Sequence, residues 1–507
     1  MRPVEEGARD DDVGDDLVML AKTYFDLNEF KRAAHILRSA KGPCGRFLRW
    51  YSLFLAGERR KSEEALEEGG AGGSATTGVV GKARATNQML PLLQEELSAA
   101  SSANGLDAFG WYLYALVLRE TMQPEGATAA LVQAVRLFPC LWCGWTELAA
   151  LNPSEEAVAA LTLPSHWAKD FFDAHHALEA QANSQAIERY ESLLLRWPRS
   201  VYLRSQLALA RYNLRDFDEA QSLYESIRLD DPYRLDHVDT YSNILYVKEQ
   251  KRALSSLAHA CVAVDKYRPE ACCVIGNYYS LKGSHEKAVL YFRRALKLDA
   301  HFLSAWTLMG HEYVELKNTA AAVDAYRHAV EINAKDYRAW YGLGQTYEIL
   351  QMPYYALFYY RKATALRPYD ARMWCAMAGC YKQLGRKGEA ILSYKRAVSH
   401  DDAEGVALQE LARLYKEEGT AQMAAHCYAE MLRQREQHNE AAGAATEEAL
   451  SFLAHYYKEA GMLAEAQTFA TRLLDLGGPE KEEAKSLLRD ISSTRLHASA
   501  FAALGED

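Results

Sequence analysis

The chain has 507 residues, with 58 Lys and Arg against 68 Asp and Glu, for a net charge of −10. Hydrophobic residues at 49% are enough to build cores along most of its length, which excludes disorder as the dominant state. The net acidity argues against nucleic acid as a bulk partner, and the absence of a run of about 18 apolar residues argues against a membrane span. Nine cysteines, an odd and sparse set, suit a reducing compartment better than a disulfide framework. With 31 tyrosines and only 13 prolines, the composition points to long helical arrays.

Residues 1–14 are acidic, lack the apolar stretch of a secretory signal, and are expected to form a flexible tail. Residues 15–56 carry a first helix-turn-helix unit marked by Ala21, Tyr24, Ala33 and Leu37. Residues 57–84, with EEGGAGGSATTG, are expected to be a flexible glycine-rich insert. The Gly81-Lys82 pair there is no phosphate loop, because Thr76 stands where the first glycine should be and Ala83 follows the lysine. Residues 85–165 return to the repeat pattern. One unit runs from Trp111 through Ala115, Ala127 and Ala134 to Pro139. The next starts at Trp145, and Asn152-Pro153 interrupts its second helix. Residues 166–430 form the regular array, 431–447 an insert, 448–495 a C-terminal unit with Ala454, Tyr457 and Ala466, and 496–507 a tail.

The regular array is recognised by its period. Trp306, Trp340 and Trp374 recur every 34 residues. Each is followed at fixed offsets by a small residue (Gly310, Gly344, Ala378), a tyrosine (Tyr313, Tyr347, Tyr381), an alanine (Ala322, Ala356, Ala390) and a second tyrosine (Tyr326, Tyr360, Tyr394). This is the tetratricopeptide (TPR) pattern. Offsets 0, 3, 4 and 7 share one face of a first helix, and offsets 16, 20 and 23 one face of a second. The small residues allow two helices to approach closely. The aromatics fill the space between one pair and the next, so the pairs must stack. The expected fold is an all-α TPR superhelical solenoid of about 12–14 helix-turn-helix repeats, with no segment left for a catalytic domain and hence no enzyme activity.

Isolated chemical signals carry little. Cys140 and Cys143 lack a second ligand pair for zinc and are expected to pack at a repeat junction. His175 and His176 are adjacent on a helix and cannot share a face. No metal or cofactor is expected. The basic pairs Arg293-Arg294, Arg327-His328, Arg361-Lys362 and Lys395-Arg396 fit a solvated outer face. Packing accounts for most of the cluster Tyr354, Tyr355, Phe358, Tyr359 and Tyr360.

In a TPR superhelix the first helices line a concave groove. Counted from Cys272, Trp306 and Trp340, offsets −2, +1, +5 and +8 point into it and bring together Glu270, Asn277, Ser280, Thr307, His311, Val314, Arg338, Tyr341, Gln345 and Glu348. One unit earlier Asp239, Asn243 and Tyr246 stand at equivalent sites. Amides there can bond both groups of an extended peptide backbone, and the carboxylates can receive an arginine. The alternative is a TPR adaptor of the cochaperone type with a carboxylate clamp. The clamp positions hold Cys273, Asn277, Leu308, Arg338 and Gly342, of which only Asn277 and Arg338 fit.

Longer strings go beyond the period. Residues 231–267 read DPYRLDHVDTYSNILYVKEQKRALSSLAHACVAVDKY, and NYYSLKGSHEKA and MGHEYVELKNT follow. These closely resemble subunit eight of the anaphase-promoting complex, the cell division cycle protein 23 family. The resemblance covers most of 15–490 and is strongest over 231–370. It implies a non-catalytic scaffold subunit of a ubiquitin ligase in the nucleus (with some in the cytoplasm), acting in mitosis. It further implies a homodimer formed by the N-terminal repeats, contacts with other subunits of the complex, and a groove that takes the C-box of a WD40 coactivator. That motif ends in an arginine. On this sequence the implied groove residues are Asn243, Asn277, His311, Tyr341, Gln345 and Glu348. None of the 13 prolines follows Ser or Thr, so proline-directed phosphorylation of this chain is not expected.

Overall fold

The computed structural model describes residues 7–40, 42–70, 86–103, 105–152, 154–400, 402, 405–437, 443–476 and 481–503. Among these the chain forms 27 α-helices and one short 3-10 turn, with no strand. The helices follow one another as thirteen pairs and a final helix, as the TPR period predicts. They fall into two compact units, Met1–Pro232 and Tyr233–Asp507.

In the second unit the reason for each residue type is visible. A side chain at Gly276, Gly310 or Gly344 would overlap the ring of Phe292, Tyr326 or Tyr360, respectively. The small residue of the first helix therefore exists so that the aromatic of the second can lie flat against its backbone. Those three rings are fully buried, each worth roughly 1.5–3 kcal/mol of apolar burial. The tryptophans do a second job. The indole N–H of Trp306, Trp340 and Trp374 donates to the carbonyl six residues earlier, at 3.0, 2.8 and 2.7 Å, which ties each first helix to the turn that precedes it.

The turn within each pair is equally regular. Gln181, Arg215, Glu249, Gly283, Lys317, Gln351, Gly385 and Gly419 all have left-handed backbone, each 34 residues from the next. Around Gly283 the Ser284 N–H reaches back to the Tyr279 carbonyl at 2.9 Å, closing the helix end.

The basic residues on the second helices turn out to be more than a solvated face. Arg293, Arg327 and Arg361 stay exposed but donate to the Tyr313, Tyr347 and Tyr381 hydroxyls of the next repeat at 2.6, 3.0 and 2.9 Å. They staple neighbouring repeats together. A guanidinium has enough reach and enough donors to do this while remaining hydrated.

The first unit is less uniform. Helix Pro43–Gly70 is the longest, and it runs through the first part of the segment expected to be an insert from residue 57. Its solvent face carries i,i+4 pairs, Arg59–Glu63 at 3.0 Å and Arg60–Glu64 at 2.8 Å, which favour continued helix. The glycine-rich stretch 71–85 lies outside the described residues. Helix Gly7–Asp26 likewise begins within the expected N-terminal tail, helices Ala421–Gln437 and Ala444–Glu459 narrow the expected 431–447 insert, and helix Lys481–Ala503 extends into the expected C-terminal tail. The second helix after Trp142–Leu151 is shortened to Glu155–Ala159, beside the predicted interruption at Asn152. Cys140 and Cys143 are exposed to solvent, and the Cys143 thiol hydrogen-bonds the Tyr112 side chain of the preceding repeat.

Candidate peptide-binding face

The six residues singled out for the groove lie on four first helices: Val238–Val247, Pro269–Leu281, Leu303–Glu315 and Tyr337–Ile349. The structure divides them into two groups with different jobs.

Asn243 and Asn277 are buried and bonded to each other. The Asn277 amide donates to Asn243 Oδ1 and to Ser242 Oγ, both at 2.7 Å. One NH₂ group carries two hydrogens, so it serves both acceptors. Offset arithmetic placed these amides facing the groove. Close packing of helix Val238–Val247 on helix Pro269–Leu281 closes over them instead. They set the spacing of these two helices. Thr307 and Ser280 are buried as well.

A polar chain continues from there. The Ser280 hydroxyl donates to Glu312 Oε1 at 2.7 Å and lies 3.2 Å from the Tyr246 hydroxyl. Glu312 is only 5% exposed, and its second oxygen lies 2.8 Å from His285 Nδ1. A buried carboxylate needs such partners to offset its lost hydration. Ser304 Oγ donates to Asp239 Oδ2 at 2.8 Å, joining helices two repeats apart. The offset argument named Ser280 and Asp239 but missed Glu312 and His285. Glu312 sits at offset +6 from Trp306, a position not counted as groove-facing.

His311, Tyr341, Gln345 and Glu348 form the second group. His311 and Gln345 are exposed, and Tyr341 and Glu348 half-buried. His311 Nδ1 lies 2.8 Å from the Tyr326 hydroxyl, whose own ring is buried between repeats. Although open to solvent on one side, His311 lies deep among protein atoms. That desolvation, with the Arg338 charge adding to it, pushes its imidazole down to about 4. A neutral ring then accepts the Tyr326 proton. Tyr360 donates in the same way to Glu348 Oε2 at 2.7 Å, and Tyr341 packs on the Tyr360 ring with centroids 5.4 Å apart. The amide of Gln345 has no side-chain partner among the described residues. Arg338 is held by Asp336, with contacts of 3.0 and 3.2 Å, and this carboxylate also caps the helix.

Phe292 against Tyr326 and Tyr360 explains the division. All three occupy one position of the repeat. The phenylalanine has no hydroxyl, and the polar residue above it, Asn277, bonds backward to the previous repeat. Each tyrosine hydroxyl instead reaches through the repeat and fixes a groove side chain from below.

Comparison with known proteins bears on what this face belongs to. The family model described as anaphase promoting complex subunit 8 / Cdc23 matches residues 4–208, and the tetratricopeptide repeat model matches 269–302, 303–336, 337–370 and 371–402. The Arabidopsis thaliana anaphase-promoting complex subunit 8 is 51% identical over 484 residues, covering 95% of this chain and 82% of that protein. The chain belongs to the anaphase-promoting complex subunit 8 / Cdc23 family. The Dictyostelium discoideum subunit 8 is 43% identical over 94% of this chain and 86% of its own length. The human Cdc23 homolog is 44% identical, over 50% of this chain and 41% of its own. In fold, the chain matches the crystal structure of the APC/C hetero-tetramer Cut9-Hcn1 with a TM-score of 0.58 at 17% identity, over 94% of this chain and 90% of that one. As a Cdc23-family TPR protein the chain is a scaffold, not an enzyme. No group of three or more metal-ligating side chains occurs among the described residues.

Proposed function

We propose that this Cdc23-family scaffold assembles into the anaphase-promoting complex in the nucleus, with a cytoplasmic pool, and there docks the C-box of a WD40 coactivator on the face built by His311, Tyr341, Gln345 and Glu348. The observation that supports this reading most is the pairing of an unengaged amide at Gln345 with a carboxylate at Glu348 and an aromatic floor of Tyr341 and Tyr360. The amide takes the backbone of an extended segment, and the carboxylate takes its terminal arginine. Asn243 and Asn277 contribute by holding the spacing of their helices. The mechanism is positional: a tethered coactivator raises the effective concentration of its cargo near the ligase centre.

Self-association is the second part of the proposal. Phe109, Leu137 and Phe138 in the first unit are exposed, at 42%, 59% and 43%. Phe47, Phe109 and Phe138 also form a line of rings 5.7 and 5.9 Å apart. Apolar residues left open in this way favour a second protein surface.

Two experiments decide. A mild affinity purification should recover further subunits of the ligase in stable amounts, whereas chaperones alone would redirect the assignment to an adaptor. Sedimentation of the full chain at micromolar concentration should give a dimer that Phe109→Glu with Phe138→Glu converts to monomer, and a wild-type monomer ends the self-association claim.

A further inference from the structure

One repeat of the second unit departs from its sisters on the outer side. The second helix of that repeat, Lys251–Val264, meets the end of helix Pro269–Leu281 at a cavity of about 610 Å³. Its lining comprises Lys251, Arg252, Ser255, Ser256, His259, Tyr278, Leu281 and Lys282, without a carboxylate.

The repeat register shows why the cavity is there. The position of Ser255 is Val289, Val323, Leu357 and Ile391 in the four following repeats, all buried. Ser255 is smaller and polar, so the apolar plug is missing. The position of His259 is Arg293, Arg327, Arg361 and Lys395 in those repeats. Arg293, Arg327 and Arg361 staple to the next repeat's tyrosine, but His259 makes no such bond. The position of Lys282 is Leu316, Leu350 and Leu384. A plug and a staple have been replaced, and Lys282, which matches Lys248 one repeat earlier and a leucine in the three repeats after, faces the same space.

Charge gives the ligand class. Lys251, Arg252, Lys282 and His259 have no ion-pair partner among the described residues, in a chain with an excess of ten negative charges. Elsewhere in this unit arginines such as Arg268, Arg338, Arg372 and Arg413 are matched to carboxylates. Three permanent cations with two serine hydroxyls and a tyrosine hydroxyl present more donors than a single carboxylate can use. A phosphoryl group has a charge of about −1.5 to −2 and three acceptor oxygens, and it can satisfy several of them at once. The volume exceeds what one phosphate needs, and the Tyr278 ring and Leu281 supply apolar wall for the flanking residues of a chain.

We propose that this cavity is a receptor for a phosphorylated serine or threonine in an extended segment of a partner protein. Lys251, Arg252 and Lys282 hold the phosphoryl oxygens, Ser255 and Ser256 complete the donor set, and Tyr278 with Leu281 takes the neighbouring residues. The site lies outside the first-helix residues of the coactivator proposal and does not depend on it.

The test uses the full chain on arrays of degenerate nonapeptides centred on phosphoserine, serine or glutamate. Phosphoserine spots should retain about tenfold more protein than either of the others, and free inorganic phosphate should compete. Ser255→Val with Lys282→Leu restores the residues of the sister repeats, so it should leave thermal unfolding unchanged or raised while abolishing the difference. Lys251→Glu provides a second variant that alters charge without filling the cavity, and should abolish it too. Equal retention on serine or on glutamate spots overturns the proposal. So does phosphoserine selectivity that survives both variants in folded protein.

Discussion

In Tyr233–Asp507, the same offset does the same job in repeat after repeat. The indole of Trp306, Trp340 and Trp374 caps the preceding turn, Gly276, Gly310 and Gly344 admit an aromatic ring, and Arg293, Arg327 and Arg361 staple to a tyrosine. In Met1–Pro232 part of that register persists, and contacts that do not repeat stand beside it. Trp145 keeps the indole bond to the carbonyl six residues earlier, at Pro139 and 2.9 Å, and Gln181 and Arg215 keep the left-handed turn, but Trp142, Trp167, Phe171, Trp197 and Tyr202 form an aromatic cluster that follows no period. A periodic array can present a long, even face for a peptide. An irregular one commits each surface to a particular neighbour. The division matches the two proposed roles, docking in one unit and self-association in the other.

The largest test of this contrast is a pair of core lesions. Trp145→Ala in the first unit should cost about 3–5 kcal/mol. Gly344→Val and Gly310→Val in the second should each cost roughly 3 kcal/mol and agree with one another, because their rings sit alike. Urea unfolding followed by hydrogen exchange separates the units. A Gly310→Val cost far from that of Gly344→Val would break the claim of equivalent repeats.

Smaller effects follow from the staples. Arg327→Ala and Arg361→Ala should each lose about 1 kcal/mol, kept low by the exposure of the guanidinium. The loss should appear as faster exchange at the junction with the next repeat. An unchanged junction in both would demote these bonds to incidental surface contacts.

His311 gives the comparison a pH signature. Its folded value of about 4 lies below the usual 6.5 for histidine, so the unfolded chain takes up this proton first as pH falls. The stability due to its neutral state is therefore complete above about pH 6.5 and lost as pH descends toward 4. His311→Asn should flatten that part of the urea-midpoint profile for the second unit, and NMR should find the imidazole neutral at pH 5.5. A titration near 6.5 would show that the groove floor is wetter than its packing implies. Smallest of all, Lys387→Ala, which removes an exposed pair with Glu417, should leave the urea midpoint unchanged.

Much of this was legible in the sequence because TPR packing forces small and aromatic residues into fixed register. The helix pairs and the buried rings of Tyr326, Tyr360 and Tyr394 follow from the period. Which side of a first helix stays open was less legible. Asn277 and His311 occupy the same offset, yet one is buried by its neighbour helix and the other faces solvent. Offset arithmetic assigns a direction but not the distance between successive helices. The tyrosine cluster was mixed in the same way: Tyr360 is core, but Tyr354, Tyr355 and Phe358 are exposed at 72%, 56% and 53%. The glycine-rich reading of 57–84 also missed helix formation beyond residue 57, where acidic and basic residues pair along one face.

On the proposed function, the first-helix face receives an arginine-bearing segment at Glu348. A double-mutant cycle tests it most directly. C-box peptide with its arginine or with alanine would be titrated calorimetrically into the full wild-type chain and into Glu348→Gln. A coupling of at least about 1 kcal/mol between the arginine and Glu348 is expected for a charge-assisted bond. Additive losses with no coupling, or no binding of the peptide to the wild-type chain, would contradict it.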